Sequence, residues 1–206
     1  PHLDLILDTS GSMNLADSFK ADALHQLAAV FATAAGNARC SQAVWMTGEG
    51  FQRVANDTQP PSAWGDIPLG NAIPFEEAHS LLPPRLRRQG IRVIISDLFW
   101  PGNPLPTLRK LTEGAASVYI VQLLAPGDLE PPQPGNVQLE DSETGETLSL
   151  YIDTTVQEQY RQTVRRLQQS WDEAAKQTGA KLVTVIANNL ETSLRSLEEC
   201  NSLEPA

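Results

Sequence analysis

Short apolar runs, each closed by a polar or acidic residue, alternate along this chain with stretches whose apolar residues return every three or four positions. Residues 3–7 (LDLIL) stop at Asp8, and residues 91–96 (IRVIIS) stop at Asp97. Residues 118–124 and 182–187 are of the same kind. Runs this short, nearly continuous and rich in Leu, Ile and Val, are how strands covered on both faces read. Between them, Leu24, Leu27, Phe31 and Ala35 predict a helix stopped by Gly36. Leu69, Ala72, Ile73 and Leu81 predict a second, ended by Pro83-Pro84, and Leu105, Leu108 and Leu111 a third, ending at Gly114. Strands alternating with helices of this length call for an α/β fold with a mostly parallel central sheet and helices on both faces.

Two stretches depart from that rhythm. Residues 43–46 and 51–55 flank Thr47-Gly48-Glu49-Gly50 as strands around a tight turn, and 56–65 is a polar loop. After a Pro-rich linker over 125–135, Val137/Leu139 and Leu148/Leu150 alternate across Ser142-Glu143-Thr144-Gly145. That pattern predicts a β-hairpin inserted at about residues 136–152. The longest helix follows, capped by Thr154 or Thr155 and ended by Gly179. Its apolar stripe is Val156, Tyr160, Val164, Leu167, Trp171 and Ala175, and Leu190, Leu194 and Leu197 predict a last short helix. No internal repeat or second domain is evident, so residues 1–206 read as one domain. An apolar strand that begins directly after Pro1 reads as a segment cut from a longer protein, which leaves room for an upstream membrane anchor.

Charge narrows the partners. Lys and Arg number 15 against 25 for Asp and Glu, a formal net charge of −10. A chain this acidic has no overall attraction for nucleic acid or anionic lipid. Cys40 and Cys200 stand alone without metal-ligand spacing, which fits a reducing compartment, the cytoplasm. No apolar run approaches the roughly 20 residues that span a bilayer. A chain of 206 residues buries enough surface to fold without a disulfide or metal staple.

The sharpest chemical feature is Asp8-Thr9-Ser10-Gly11-Ser12, directly after the first strand. A carboxylate and two hydroxyls at alternate positions converge if the loop curls, and Gly11 permits the curl. Hard oxygen donors of this kind suit Mg²⁺ or another small divalent cation, although the same residues also populate ordinary turns and N-caps. Asp97 ends another buried strand, and a sheet wound in both directions sets it beside Asp8. The crevice above such a switch point is where open α/β sheets bind ligands. Two carboxylates there repel unless a cation neutralises them.

The segments LILDTSGSM, WGDIPLGNAI, RVIISDLF and LEDSETGETLSLYIDT together resemble a von Willebrand factor A domain. More narrowly, the chain is similar to the bacterial von Willebrand A-like proteins often encoded beside MoxR-type AAA+ ATPases. The resemblance runs from Leu3 to about Leu197. It implies a Rossmann-like sandwich, a metal-ion-dependent adhesion site, and protein association rather than catalysis. Asp8, Ser10 and Ser12 match the first loop of that site, and Asp97 the third. The second loop departs from the pattern, since Gly65-Asp66-Ile67-Pro68-Leu69 puts Ile67 where a Thr is expected. Water or Asp66 is left to fill that position, or the site is vestigial. The resemblance therefore implies weak Mg²⁺ binding, completed by a partner carboxylate.

Other chemistries match less well. A haloacid-dehalogenase phosphatase needs an Asp where Ser10 stands. A serine hydrolase needs a Gly-x-Ser-x-Gly elbow with a partnered His, and a dinucleotide site needs Gly-x-Gly-x-x-Gly after the first strand. His2, His25 and His79 are scattered, so no imidazole falls in the metal loops as a base. A metal-assisted hydrolase using the same acidic crevice is the rival reading. Arg85, Arg87, Arg88 and Arg92 read as solvated charge around a helix end, with phosphate or acidic-partner binding as the minority reading. Met13, Trp64, Phe99 and Trp100 flank the loops and are the candidates for partner contact, although large loop aromatics also pack loops down.

Overall fold

A computed structural model describes residues 1–190 apart from Pro101 and Glu143. Its elements run β1 (His2–Leu7), α1 (Lys20–Asn37), β2 (Ser41–Met46), β3 (Gln52–Arg53), α2 (Phe75–Leu81) and β4 (Ile91–Ser96). They continue with α3 (Leu105–Thr112), β5 (Ser117–Leu124), β6 (Gly135–Glu140), β7 (Thr147–Ile152), α4 (Thr154–Thr178) and β8 (Lys181–Ile186). The main sheet has the order β3-β2-β1-β4-β5-β8, parallel throughout except for the short β3 on its edge. This is the mixed α/β architecture with a mostly parallel sheet that the strand–helix alternation calls for.

The alternation of side chains explains why the strands read as nearly continuous apolar runs. Leu3, Leu5 and Leu7 join Val93, Ile95, Val121 and Leu123 beneath Leu24, Leu27 and Phe31 of α1. Ile6, Ile94 and Ile120 face the other way, against Leu108 and Leu111 of α3 and Trp171 of α4. Covering both faces stabilises the sheet by about 1.5–3 kcal/mol for each fully buried Leu or Ile. Asp4, the one interruption in β1, is buried but partnered. It accepts hydrogen bonds from Trp45 Nε1 (3.1 Å) and the Arg87 backbone N–H (2.9 Å), which offsets its desolvation.

Several boundaries differ from the sequence expectation for local reasons. The second helix starts at Phe75 rather than near Leu69, because Gly70 (φ 89°) and Asn71 both turn their N–H groups onto the Thr9 carbonyl. α1 passes through Gly36 to Asn37, and Arg39 (φ 56°) turns the chain instead. α4 is capped by Asp153, whose Oδ1 accepts from Val156 N (2.8 Å), rather than by Thr154 or Thr155. β6 and β7 pair antiparallel with Leu139 opposite Leu148 and Val137 opposite Leu150, the hairpin expected there. The short helix expected through Leu194 and Leu197 lies outside the described residues. Among the described residues no helix is long and apolar enough to cross a membrane.

β1 and β4 are adjacent and parallel, with Leu7 paired to Ile95, and the Asp8 N–H donates to the Ile95 carbonyl (2.9 Å). β2 lies on the far side of β1 and β5 on the far side of β4. The loops carrying Asp8 and Asp97 therefore leave the same end of the sheet where the strand order reverses.

Candidate functional site

Three alternate residues of the first loop turn to one side because the residue between them is tied down elsewhere. The Thr9 hydroxyl donates to the Thr47 carbonyl (2.8 Å), and the Thr9 N–H donates to Thr47 Oγ1 (2.8 Å). Asp8, Ser10 and Ser12 are left on the opposite side. The Asp8 carboxylate is buried, accepting from Ser10 N at Oδ1 (3.0 Å) and from Ser96 Oγ at Oδ2 (2.6 Å). Ser96 Oγ itself accepts from Leu98 N (3.0 Å) and Trp100 Nε1 (3.2 Å), so its single proton is directed to Asp8. Ser10 Oγ and Ser12 Oγ lie 3.3 Å apart. Neighbouring oxygens about 2.1 Å from a small octahedral cation stand roughly 3 Å apart, so the two hydroxyls are spaced as adjacent ligands of Mg²⁺ or Mn²⁺ would be. Among the described residues no three His, Cys, Asp or Glu side chains gather to hold a metal, so an ion here depends on the hydroxyls.

Asp97, buried on the neighbouring loop, accepts from Phe99 N at Oδ1 (3.2 Å). Its Oδ2 is taken by Lys20, whose Nζ lies 2.9 Å away. The same ammonium lies 3.2 Å from Asp128 Oδ2, on the turn after β5. Lys20 is the first residue of α1 and is almost fully buried. Nothing in the sequence pattern couples residues 20, 97 and 128, and the sequence reading missed Lys20.

Burial, and next the charge of Asp97, push the Asp8 carboxyl above the ordinary value near 3.8. The folded chain then holds that proton more tightly than the unfolded chain, so acidification favours folding through this group. With divalent ions chelated, the melting-temperature difference between wild type and Asp8→Asn should move in the wild type's favour as pH falls from neutral toward the ordinary carboxylate range. Saturating Mg²⁺ should suppress that movement, because the ion favours the carboxylate. A movement in the opposite direction under chelation would mean that the fold stabilises Asp8 as an anion without help.

The segment that meets the first loop is Gly70–Asn71. Asn71 forms a parallel bridge with Ser10, and its Nδ2 donates to Thr9 Oγ1 (3.0 Å). Asp66 and Ile67 instead wall a separate hollow with His25, Ala29 and Trp64, and Ile67 packs against the core. Asn71 is thus the second-loop residue in contact with the first loop, while Asp66 lines the hollow beside α1.

The partner-contact candidates separate in the same way. Met13 and Trp100 are buried and unavailable to a partner. Trp100 stacks on Phe75 (4.2 Å between centroids) and meets Trp171 edge to face (4.6 Å). Trp64 is half-buried, with Nε1 donating to the Gln59 carbonyl (2.9 Å). Phe99 keeps part of its ring at the surface, 5.7 Å from Lys20 Nζ. Leu15 and Phe19, 45% and 56% exposed, stand on the first loop as apolar side chains that the sequence reading passed over. The available signal was their place in an otherwise small, polar loop. Of the three histidines, His2 lies beside Asp4, His25 bonds the Ala21 carbonyl and His79 faces Phe51.

A family model described as "Protein of unknown function DUF58" matches residues 2–170. Among curated proteins, the chain is 31% identical over 102 residues to the uncharacterized protein MAV169 of Mycobacterium avium, covering 48% of this chain and 58% of that protein. It is 35% identical over 74 residues to the uncharacterized protein Rv1480 of Mycobacterium tuberculosis, covering 36% of this chain and 23% of that one. The matches thus span little more than half of the first relative and about a quarter of the second. Among solved structures, the chain is similar to the conserved hypothetical protein BatB from Bacteroides thetaiotaomicron at TM-score 0.42 and 12% identity, covering 98% of both chains. It is similar also to an aerotolerance-related membrane protein from Bacteroides fragilis at TM-score 0.47 and 12% identity, covering 96% of both.

Proposed function

The chain belongs to the DUF58 family, and from that premise we propose that it is a non-enzymatic interaction module of the von Willebrand A type, whose first loop presents a divalent cation to an acidic group on a partner protein. The observation that carries this reading is the hard-oxygen set of Asp8, Ser10 and Ser12 at the strand-order reversal, with the two hydroxyl oxygens 3.3 Å apart. A bound ion would supply an open coordination position for a carboxylate. The chain's own residues do the rest. Ser96 and the Ser10 N–H orient Asp8, and the Thr9–Thr47 pair fixes the curl of the loop. Leu15 and Phe19, exposed on the segment between the first loop and α1, and the partly exposed Phe99 are apolar side chains that a docked partner would cover in this reading.

The reading favours binding over hydrolysis because the described contacts of His2, His25 and His79 involve none of Asp8, Ser10, Ser12 and Asp97. We take the partner to be a component of a MoxR-type AAA+ ATPase complex, which is what the resemblance carried by LILDTSGSM, WGDIPLGNAI, RVIISDLF and the LEDSETGETLSLYIDT hairpin implies.

Calorimetry with Mg²⁺ and Mn²⁺ tests the site, and capture of the ATPase with and without chelator tests the partner. We expect weak binding by wild type, none by Asp8→Ala, and capture that chelator and Asp8→Ala both abolish. Capture indifferent to both would remove the ion from the function. Reproducible phosphoester turnover lost in Asp8→Ala would replace the module with a hydrolase.

A further inference from the structure

We propose that Lys20 is a tethered cation that competes with the divalent ion for Asp97 and so sets how tightly the crevice binds metal; the inference rests on the ion-site reading above. Lys20 occupies a place that helix energetics disfavours. It is the first residue of α1, at the positive end of the helix dipole, where a basic side chain is repelled. Phe19 immediately before it adopts φ 60°, a left-handed conformation costly for a large side chain, with its ring largely exposed. Two unfavourable local choices in succession have a compensation in one contact, the buried ammonium seated 2.9 Å from Asp97 Oδ2 and 3.2 Å from Asp128 Oδ2.

The charges define the consequence. Asp8 and Asp97 leave adjacent parallel strands at the same end, with the Asp8 N–H on the Ile95 carbonyl (2.9 Å) and the Asp8 carboxylate on the hydroxyl of Ser96, the residue before Asp97, so a divalent ion on Asp8, Ser10 and Ser12 would gain from both carboxylates. With Lys20 in place, Asp97 is already paired and a positive charge stands beside the site. An entering ion then meets one unpaired carboxylate, Asp8, and repulsion from the ammonium. The weak binding expected of the isolated domain then has a source in Lys20, independent of Ile67, which packs against the core beside another hollow. The ion gains full affinity when Lys20 leaves Asp97, and a partner carboxylate is the group chemically suited to draw the ammonium away.

The test is calorimetry with MnCl₂ and MgCl₂ on wild type, Lys20→Gln, Lys20→Gln/Asp97→Asn and Asp8→Ala, paired with melting curves in chelator and in Mn²⁺. Lys20→Gln should bind Mn²⁺ at least about tenfold more tightly than wild type, equivalent to roughly 1.4 kcal/mol. Most of that gain should vanish when Asp97→Asn is added, and Mn²⁺ should raise the melting temperature of Lys20→Gln more than that of wild type. If Lys20→Gln does not fold in chelator, Mn²⁺ should restore its folded signal, and failure to do so overturns the proposal. Equal affinities of wild type and Lys20→Gln, both lost in Asp8→Ala, overturn the competition while leaving the ion site standing. No binding by any of the four proteins removes the ion site itself, and the inference falls with it.

Discussion

Trp171→Ala should lower the unfolding free energy by about 3–5 kcal/mol. The ring is 1% exposed and fills the space between α4 and the sheet. Its Nε1 donates to the Leu98 carbonyl (3.0 Å), and it makes a T-shaped contact with Trp100, which stacks on Phe75. Truncation leaves a cavity and strips a buried carbonyl of its donor, two costs that add. The second cost has a local consequence. Leu98 adopts φ 63° on the loop that carries Asp97, and the Trp171 bond is one of the contacts holding it there. Trp171→Phe keeps most of the ring and loses the donor, so it should cost less, about 1–2 kcal/mol. Urea denaturation of the three proteins measures both losses. A change under about 1 kcal/mol in Trp171→Ala would mean that the cavity collapses or that the ring is exposed in solution.

The burial of Trp171 is legible in the sequence because the residue falls on a helical stripe between Leu167 and Ala175. The same holds for Asp8 and Asp97, since a buried strand that ends on an acid declares both its direction and the end from which the loop leaves. What stays hidden depends on contacts between positions far apart in sequence. Lys20 sits in a polar stretch where a lysine is ordinary, and its role follows only from where Asp97 and Asp128 are brought. Ile67 could be aligned to a ligand position by the Gly-x-Thr pattern alone. The chain spends Gly70 and Asn71 on the Thr9 carbonyl and delays α2 to Phe75, contacts that no local pattern announces. Met13 and Trp100 flank the loops in sequence, as expected for contact residues, yet Met13 packs into the core beneath α1 and Trp100 into the core with Phe75 and Trp171. Flanking a site in sequence says little about the direction of a side chain when the loop has a left-handed residue such as Leu98.

Lys20→Met, measured with divalent ions chelated, should cost about 3–5 kcal/mol, the range for removing one partner of a buried ion pair. Methionine approximates the lysine stem, so little packing is lost and the charge term dominates. Asp97 and Asp128 then lose the cation between them, and Asp97 is almost wholly buried. The penalty is that of an uncompensated charge, not the net worth of the pair. The triple change Lys20→Met/Asp97→Asn/Asp128→Asn removes the charges together and should recover most of the loss. Asp128→Asn alone should cost no more than about 1 kcal/mol, because that carboxylate is partly exposed and Lys20 keeps Asp97. Chemical denaturation of the three variants reads this order directly. A single change as mild as Asp128→Asn would show that the ammonium moves out to water and that Asp97 is solvated without it. A triple variant as unstable as Lys20→Met would show that the cost lies in the shape of the lysine stem rather than in its charge.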